Sequence, residues 1–186
     1  MTSVVTTEKK KLAQPPLELH YLGDRVLRQP AKRISKVDDK IASLIEEMLQ
    51  TMYSSDGIGL AAPQVGVNKQ LIVIDCEPNK PEDTSLVLIN PKIIKFGDRL
   101  CKAEEGCLSI PGVYLEVTRP EEIIVSYKNE RGKPCKLKTT GLLSRVIQHE
   151  MDHLNGVMFV DRVENNLALT AELQKKGFDL GAVKPV

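Results

Sequence analysis

Two histidines, His149 and His153, stand four residues apart, and Glu150 directly follows the first. On an α-helix, positions i and i+4 lie on one face about one turn apart, so two imidazoles at that spacing can grip one metal ion. Glu150 then sits beside the metal, placed to take a proton from a water held there. The neighbouring residues commit the stretch to a helix. Leu142, Val146, His149 and His153 recur at steps of four, three and four, so the two histidines continue an apolar stripe. Gly141 stands at the start and Gly156 after the end, where a helix stops readily. The spacing predicts a helix over residues 141–154. The plain alternative is a helix with two surface histidines, but the chain has only 3 histidines and places two of them here.

A metal needs a third ligand. In the extended zinc-protease pattern, His-Glu-x-x-His-x-x-Gly-x-x-His, Gly156 fits, but the last position is Phe159, which cannot ligate. Glu164 or Glu172 could supply a carboxylate from a later helix, although little chain follows. Upstream, Glu105-Gly106-Cys107-Leu108-Ser109 offers a thiolate in a glycine-containing turn. One thiolate, two imidazoles and an open fourth position make a catalytic rather than a closed, structural arrangement. The stretch Asp56-Gly57-Ile58-Gly59-Leu60-Ala61-Ala62-Pro63-Gln64 is also unusual, with glycines on either side of one isoleucine. It is no phosphate loop, because no Lys-Ser or Lys-Thr follows. It reads either as an ordinary helix-to-strand loop or as a substrate-flanking loop that presents the neutral Gln64 amide as a hydrogen-bond donor.

With 186 residues, 41% hydrophobic and 27% charged, the chain has the size and composition of one soluble globular domain. A net charge of +1 gives no strong case for nucleic acid, no nucleic-acid motif is present, and no apolar run is long enough to span a membrane. The 4 cysteines follow no secretory pattern, which suits a reducing compartment. Cys76 reads as a small core residue at the end of the apolar run 71–74, and Cys101 and Cys135 as free thiols on strands. Residues 1–16 are polar, carry Lys9-Lys10-Lys11 and end in Pro15-Pro16. They read as a flexible arm ahead of a single catalytic domain at 17–186. They do not match a transit peptide, having no arginine and including Glu8.

Residues 37–54 follow helical spacing, with Asp38 or Asp39 available as the cap. Strands are predicted at 71–76, 86–89 (stopped by Asn90-Pro91), within 92–104, and at 113–119, 122–128 and 135–139. Residues 159–161 read as extended and 165–176 as a closing helix. Strands cluster in the middle and helices near the ends. That pattern predicts an α+β fold: antiparallel β-sheets around a central metal-binding helix, with an N-terminal and a C-terminal helix.

Taken together, Gly57–Gln64, Glu105–Ser109 and Gln148–His153 resemble the three motifs of the peptide deformylases, in that family's order. The resemblance extends over about residues 17–177. It implies removal of the N-formyl group from formyl-methionyl nascent peptides, with release of formate. It implies Cys107, His149 and His153 as ligands of one divalent metal: Fe(II) in the cell, with Zn(II) or Ni(II) able to occupy purified protein. Glu150 is then the proton carrier, and Gln64 and the backbone N–H of Leu108 the donors to the developing oxyanion. Ile58, Gly59, Leu60, Leu142 and Val146 are candidates for the methionine pocket and peptide groove, and Glu105 pairs with Arg119 behind Cys107. Gly112-Val113-Tyr114 and Arg145 depart from some bacterial members and look more like the plastid and cyanobacterial type. The setting implied is a bacterial cytoplasm, or a plastid or other organelle in a eukaryote, with the ribosome as a partner. The competing expectation is a zinc endopeptidase that shares only the helix motif.

Overall fold

The computed structural model describes residues 9–80 and 85–186 of the chain. The first half of the expected arm, residues 1–8, lies outside the described residues. Helix α1, Asp39–Ser54, begins where the Asp38 side chain accepts a hydrogen bond from Ile41 N at 3.0 Å. Its stripe of Ile41, Ile45, Met48, Leu49 and Met52 is buried, so the methionines serve as core filler. Among the described residues seven strands follow: β1 (Gly59–Ala61), β2 (Leu71–Ile74), β3 (Leu86–Phe96), β4 (Leu100–Cys107), β5 (Ile110–Pro120), β6 (Glu122–Lys128) and β7 (Pro134–Thr140). Five of them form an antiparallel sheet in the order β1-β2-β3-β6-β7, and β4 and β5 pair with each other as a hairpin.

Alternation along β2 and β3 decides which helix covers which face. Leu71, Val73, Val87 and Ile89 turn toward α1, while Ile72, Ile74 and Leu88 turn the other way. That second face receives helix α2, Gly141–Leu154, through Val146, Ile147 and Leu154. On its other side α2 meets the hairpin, where Gln148 donates to Pro120 O and Arg145 to Val117 O, both at 2.9 Å. Helix α3, Asn166–Lys175, is capped by Asn165. It closes a further apolar cluster with Val113, Val117 and Phe159. This is the α+β architecture around a central helix that the pattern predicts. Among the described residues no helix is long and apolar enough to cross a membrane.

Local signals misread four places. Asn90-Pro91 predicts the end of a strand, yet β3 runs straight through it. Asn90 takes the left-handed conformation (φ 51°) and the register against β6 shifts there. The strand survives because it bulges, and the Asn90 side chain pairs with Ile34 N and O at 2.8 and 2.7 Å. The single strand expected within 92–104 is instead the end of β3 and most of β4, with a turn between. Residues read as extended at 159–161 form a 3-10 turn, Phe159–Arg162, held by the Asp161 carboxylate accepting from Met158 N at 2.7 Å. The glycine-rich stretch, read as a loop, contains the short strand β1.

Candidate active site

Helix α2 is unusual for a buried helix because its inward residues include Gln148, His149, Glu150, Asp152 and His153. Burying so many polar groups is costly unless each is paired or used. The hairpin brings Cys107 to them. The ligating atoms of Cys107, His149 and His153 lie within 4.8 Å of one another, the one such group among the described residues. The downstream alternatives Glu164 and Glu172 are not part of it. Phe159, where the zinc-protease pattern needs its last histidine, stacks on His149 with ring centroids 5.9 Å apart.

The donors suit a metal ion. Cys107 Sγ and His153 Nε2 are 3.3 Å apart. His149 Nδ1 is 2.9 Å from Glu105 Oε2, which leaves Nε2 for the cluster. The buried atoms Glu150 Oε2 and His153 Nδ1 have no hydrogen-bond partner among the described residues. Softness and geometry match a thiolate–imidazole site with room for a further ligand.

Behind the cluster lies a buried charge network. Arg119 donates to both Glu105 oxygens at 2.6 and 2.9 Å and to Asp152 Oδ2 at 2.8 Å. Arg145 adds a bond to Glu105 Oε1 at 2.7 Å, and Arg162 holds Asp152 at 2.7 and 2.6 Å. Burial works against ionising Glu105, but its bonds with Arg119 and His149 outweigh burial and hold it well below the usual carboxylate range. Burial also opposes protonation of His149, yet Cys107 and Glu105 raise its pKa well above the ordinary value in the metal-free protein. Glu150 goes the other way from Glu105: burial pushes it up to about 7.

The structure joins the predicted residues in one cavity of about 740 Å³. It is lined by Ile58, Gly59, Gln64, Cys107, Leu108, Leu142, Val146, His149 and Glu150, among others. Gln64 is fully organised: its Oε1 accepts from Ala61 N at 2.8 Å, and its Nε2 donates to Ser109 Oγ at 3.1 Å and stands 3.5 Å from Cys107 Sγ. Leu108 sits at the hairpin tip with its side chain against Gly57. Leu60 is a correction. In β1 it points opposite to Gly59 and Ala61, is fully buried against α1, and does not line the cavity. The period of two in a strand sends it to the other face. Ser109, Asp152 and the inward course of Arg145 were missed, because nothing local marks which distant polar groups will meet. The tie between Glu105 and Arg119 expected from the resemblance is present.

Gly59 is required for space. A Cβ there would lie 2.5 Å from Glu150 Oε1 and 2.8 Å from Val146 Cγ1. Gly59→Ala should therefore displace Glu150 and lower kcat about 100-fold while leaving bound metal unchanged. Steady-state kinetics beside elemental analysis checks this, and unchanged kcat would show that Glu150 does not need this position.

Residues 16–168 match the family model of polypeptide deformylase. A relative from a Nostoc species, peptide deformylase 1, is 68% identical over 186 residues and aligns over 100% of both chains. The crystal structure of a peptide deformylase from Synechococcus elongatus in complex with actinonin superposes with a TM-score of 0.95 at 67% identity, covering 96% of this chain and 97% of that one. A plant peptide deformylase gives a TM-score of 0.82 at 38% identity over 90% of each chain.

Proposed function

The chain belongs to the peptide deformylase family and is a hydrolase that removes the N-formyl group from newly made proteins, and from that premise we propose how its own residues divide the work. The observation that carries the assignment is the convergence of Cys107, His149 and His153, with Glu150 and Gln64 lining the same cavity as Cys107 and His149.

Cys107, His149 and His153 would hold one divalent metal ion. When bound, it supplies Lewis acidity, polarising the formyl carbonyl and acidifying a water. Glu150 takes the proton from the attacking water on a carboxylate oxygen and passes it to the departing amine. Gln64 Nε2 and the Leu108 backbone N–H donate to the formyl oxygen as negative charge builds there. Gln64 is held rigid by Ala61 N and Ser109 Oγ, so little reorganisation is needed during the reaction. Glu105 fixes the His149 tautomer from behind.

The methionine side chain lies among Ile58, Leu142 and Val146. The peptide runs extended along β1, which is an edge strand of the sheet. The metal in the cell is iron(II), with zinc or nickel able to replace it in purified protein. The catalytic unit is residues 17–186, working in the cytoplasm of a bacterium or in an organelle that starts its proteins with formyl-methionine. Its partner is the ribosome, met through α3, whose last residue Lys175 and the adjoining Lys176 are exposed.

The test is formate release from a formyl-Met tripeptide by protein purified without oxygen. Rapid release that vanishes in Cys107→Ala, together with the bound metal, is the expected result. Absence of release from wild-type protein with iron confirmed in it would overturn the assignment, and cleavage of internal peptide bonds would be measured next.

A further inference from the structure

Residues 9–12 precede the segment matched by the family model, yet they are tied to the cavity wall. Leu12 N donates to Ser54 Oγ at 3.1 Å, and Gln50 Nε2 donates to Lys10 O. Lys11 forms an ion pair with Asp56. Lys9 Nζ pairs with Asp75 Oδ2 at 2.7 Å and also donates to Lys80 O at 2.7 Å. The Asp75 side chain is only 3% exposed and that of Lys9 only 14%. Tyr53 Oη donates to the same Asp75 oxygen at 2.9 Å. Asp75 N in turn donates to Ile58 O at 2.9 Å.

These contacts surround one short piece of chain. Ser55, Asp56, Gly57 and Ile58 line the cavity, and Asp56 holds a left-handed backbone (φ 58°). Ser54 lies just before this piece, Asp56 within it, and Asp75 is bonded to its end. The arm grips all three. The exposed pair between Lys11 and Asp56 contributes little by itself. The Lys9–Asp75 pair differs, because a carboxylate buried next to β2 is costly without a cation. Among the described residues, Lys9 is its ion-pair partner. The need to cover Asp75 therefore holds the arm in place, and the arm in place restrains the wall.

We propose that residues 9–12 act as a strap that positions the 55–58 wall of the substrate cavity, with Lys9 as its anchoring residue on Asp75. The inference rests on the substrate-binding role proposed for that cavity. Lys9 touches none of the groups assigned to the chemistry, so its effect falls on substrate binding rather than on the bond-breaking step.

Three variants separate positioning from plain stability. Lys9→Met should raise KM for a formyl-Met tripeptide about fivefold with kcat within about twofold of wild type. It should also speed amide exchange at residues 55–58 about tenfold without changing α2. Lys9→Arg keeps the cation and should stay near wild type in both. Lys9→Met combined with Asp75→Asn removes the bare buried charge, so Tm recovers while KM and exchange stay raised because the anchor is still gone. Recovery of KM along with Tm would overturn the strap, as would unchanged KM and exchange in Lys9→Met. If Lys9→Met fails to fold, the double variant carries the same test. Exchange at 55–58 is read without substrate, so failure of the hydrolase assignment leaves the strap measurable.

Discussion

Glu150→Gln is expected to lose about 10³- to 10⁴-fold in kcat while keeping its metal, because the amide can neither take nor return a proton. The three ligating residues are untouched, so metal content measured on the same sample should equal that of wild type. Loss of metal together with activity would move Glu150 from proton carrier to a support for the ligands. The same variant carries a second, opposite effect on stability. In the metal-free protein, burial raises Glu150 to about 7 from the ordinary 4.5. Between those values the folded protein holds more protons than the unfolded chain, so stability falls as pH rises through that window. The full penalty, about 2–4 kcal/mol, is present above pH 7 and absent below about pH 4.5. Metal-free Glu150→Gln should therefore melt roughly 5–10 °C above metal-free wild type at pH 8, with the gap closing toward pH 5. An equal gap at both pH values would mean that the gain comes from packing and not from the carboxylate. An inactive enzyme that is the more stable one would show that the position is kept for chemistry at a cost to the fold.

Arg119→Leu is expected to cost about 3–5 kcal/mol, among the largest losses available in this protein. Arg119 is 3% exposed and binds Glu105 and Asp152, both buried. Removing it leaves two carboxylates facing each other across a site where Arg145 and Arg162 compensate only partly. Glu105 would then hold His149 less firmly, so metal affinity should fall about 10- to 100-fold, as it does when a support behind a ligand is lost. Thermal melts with metal removed, followed by competition with a chelator, separate the two effects. The pH dependence has a sign as well. Glu105 sits well below its ordinary pKa, so the stability it contributes is complete above about pH 4.5 and is lost as the solution becomes more acidic. Without Arg119 that depression shrinks, and Tm should fall less steeply below pH 4.5 in the variant than in wild type. A variant within about 1 kcal/mol of wild type would mean that Arg145 and Arg162 already satisfy both carboxylates.

Local pattern alone determined a good part of this molecule. Helix α2 falls on the residues its three-and-four spacing predicts, Asp38 caps α1, and β6 has the expected bounds. Each of these is set by interactions within a turn or two of chain, or by a simple alternation. The placing of His149, His153 and Glu150 follows from the same helical geometry. Three motifs in order also carry the resemblance to the family, and each is readable in the sequence alone.

Tertiary structure decided the rest. Cys107 becomes a neighbour of His153 only because β4 and β5 fold back over α2. Leu60 leaves the cavity because a stretch that reads as a glycine loop is a strand, and the sheet alternates. β3 continues through Asn90-Pro91 because Ile34, far away in sequence, supplies partners for the Asn90 side chain. Lys9 finds Asp75, and Arg145 finds Glu105, for one physical reason: a buried charge must be met by whichever opposite charge the folded chain brings within reach. Helix periodicity is written into adjacent residues, but the partner of a buried carboxylate is fixed only when distant segments pack together.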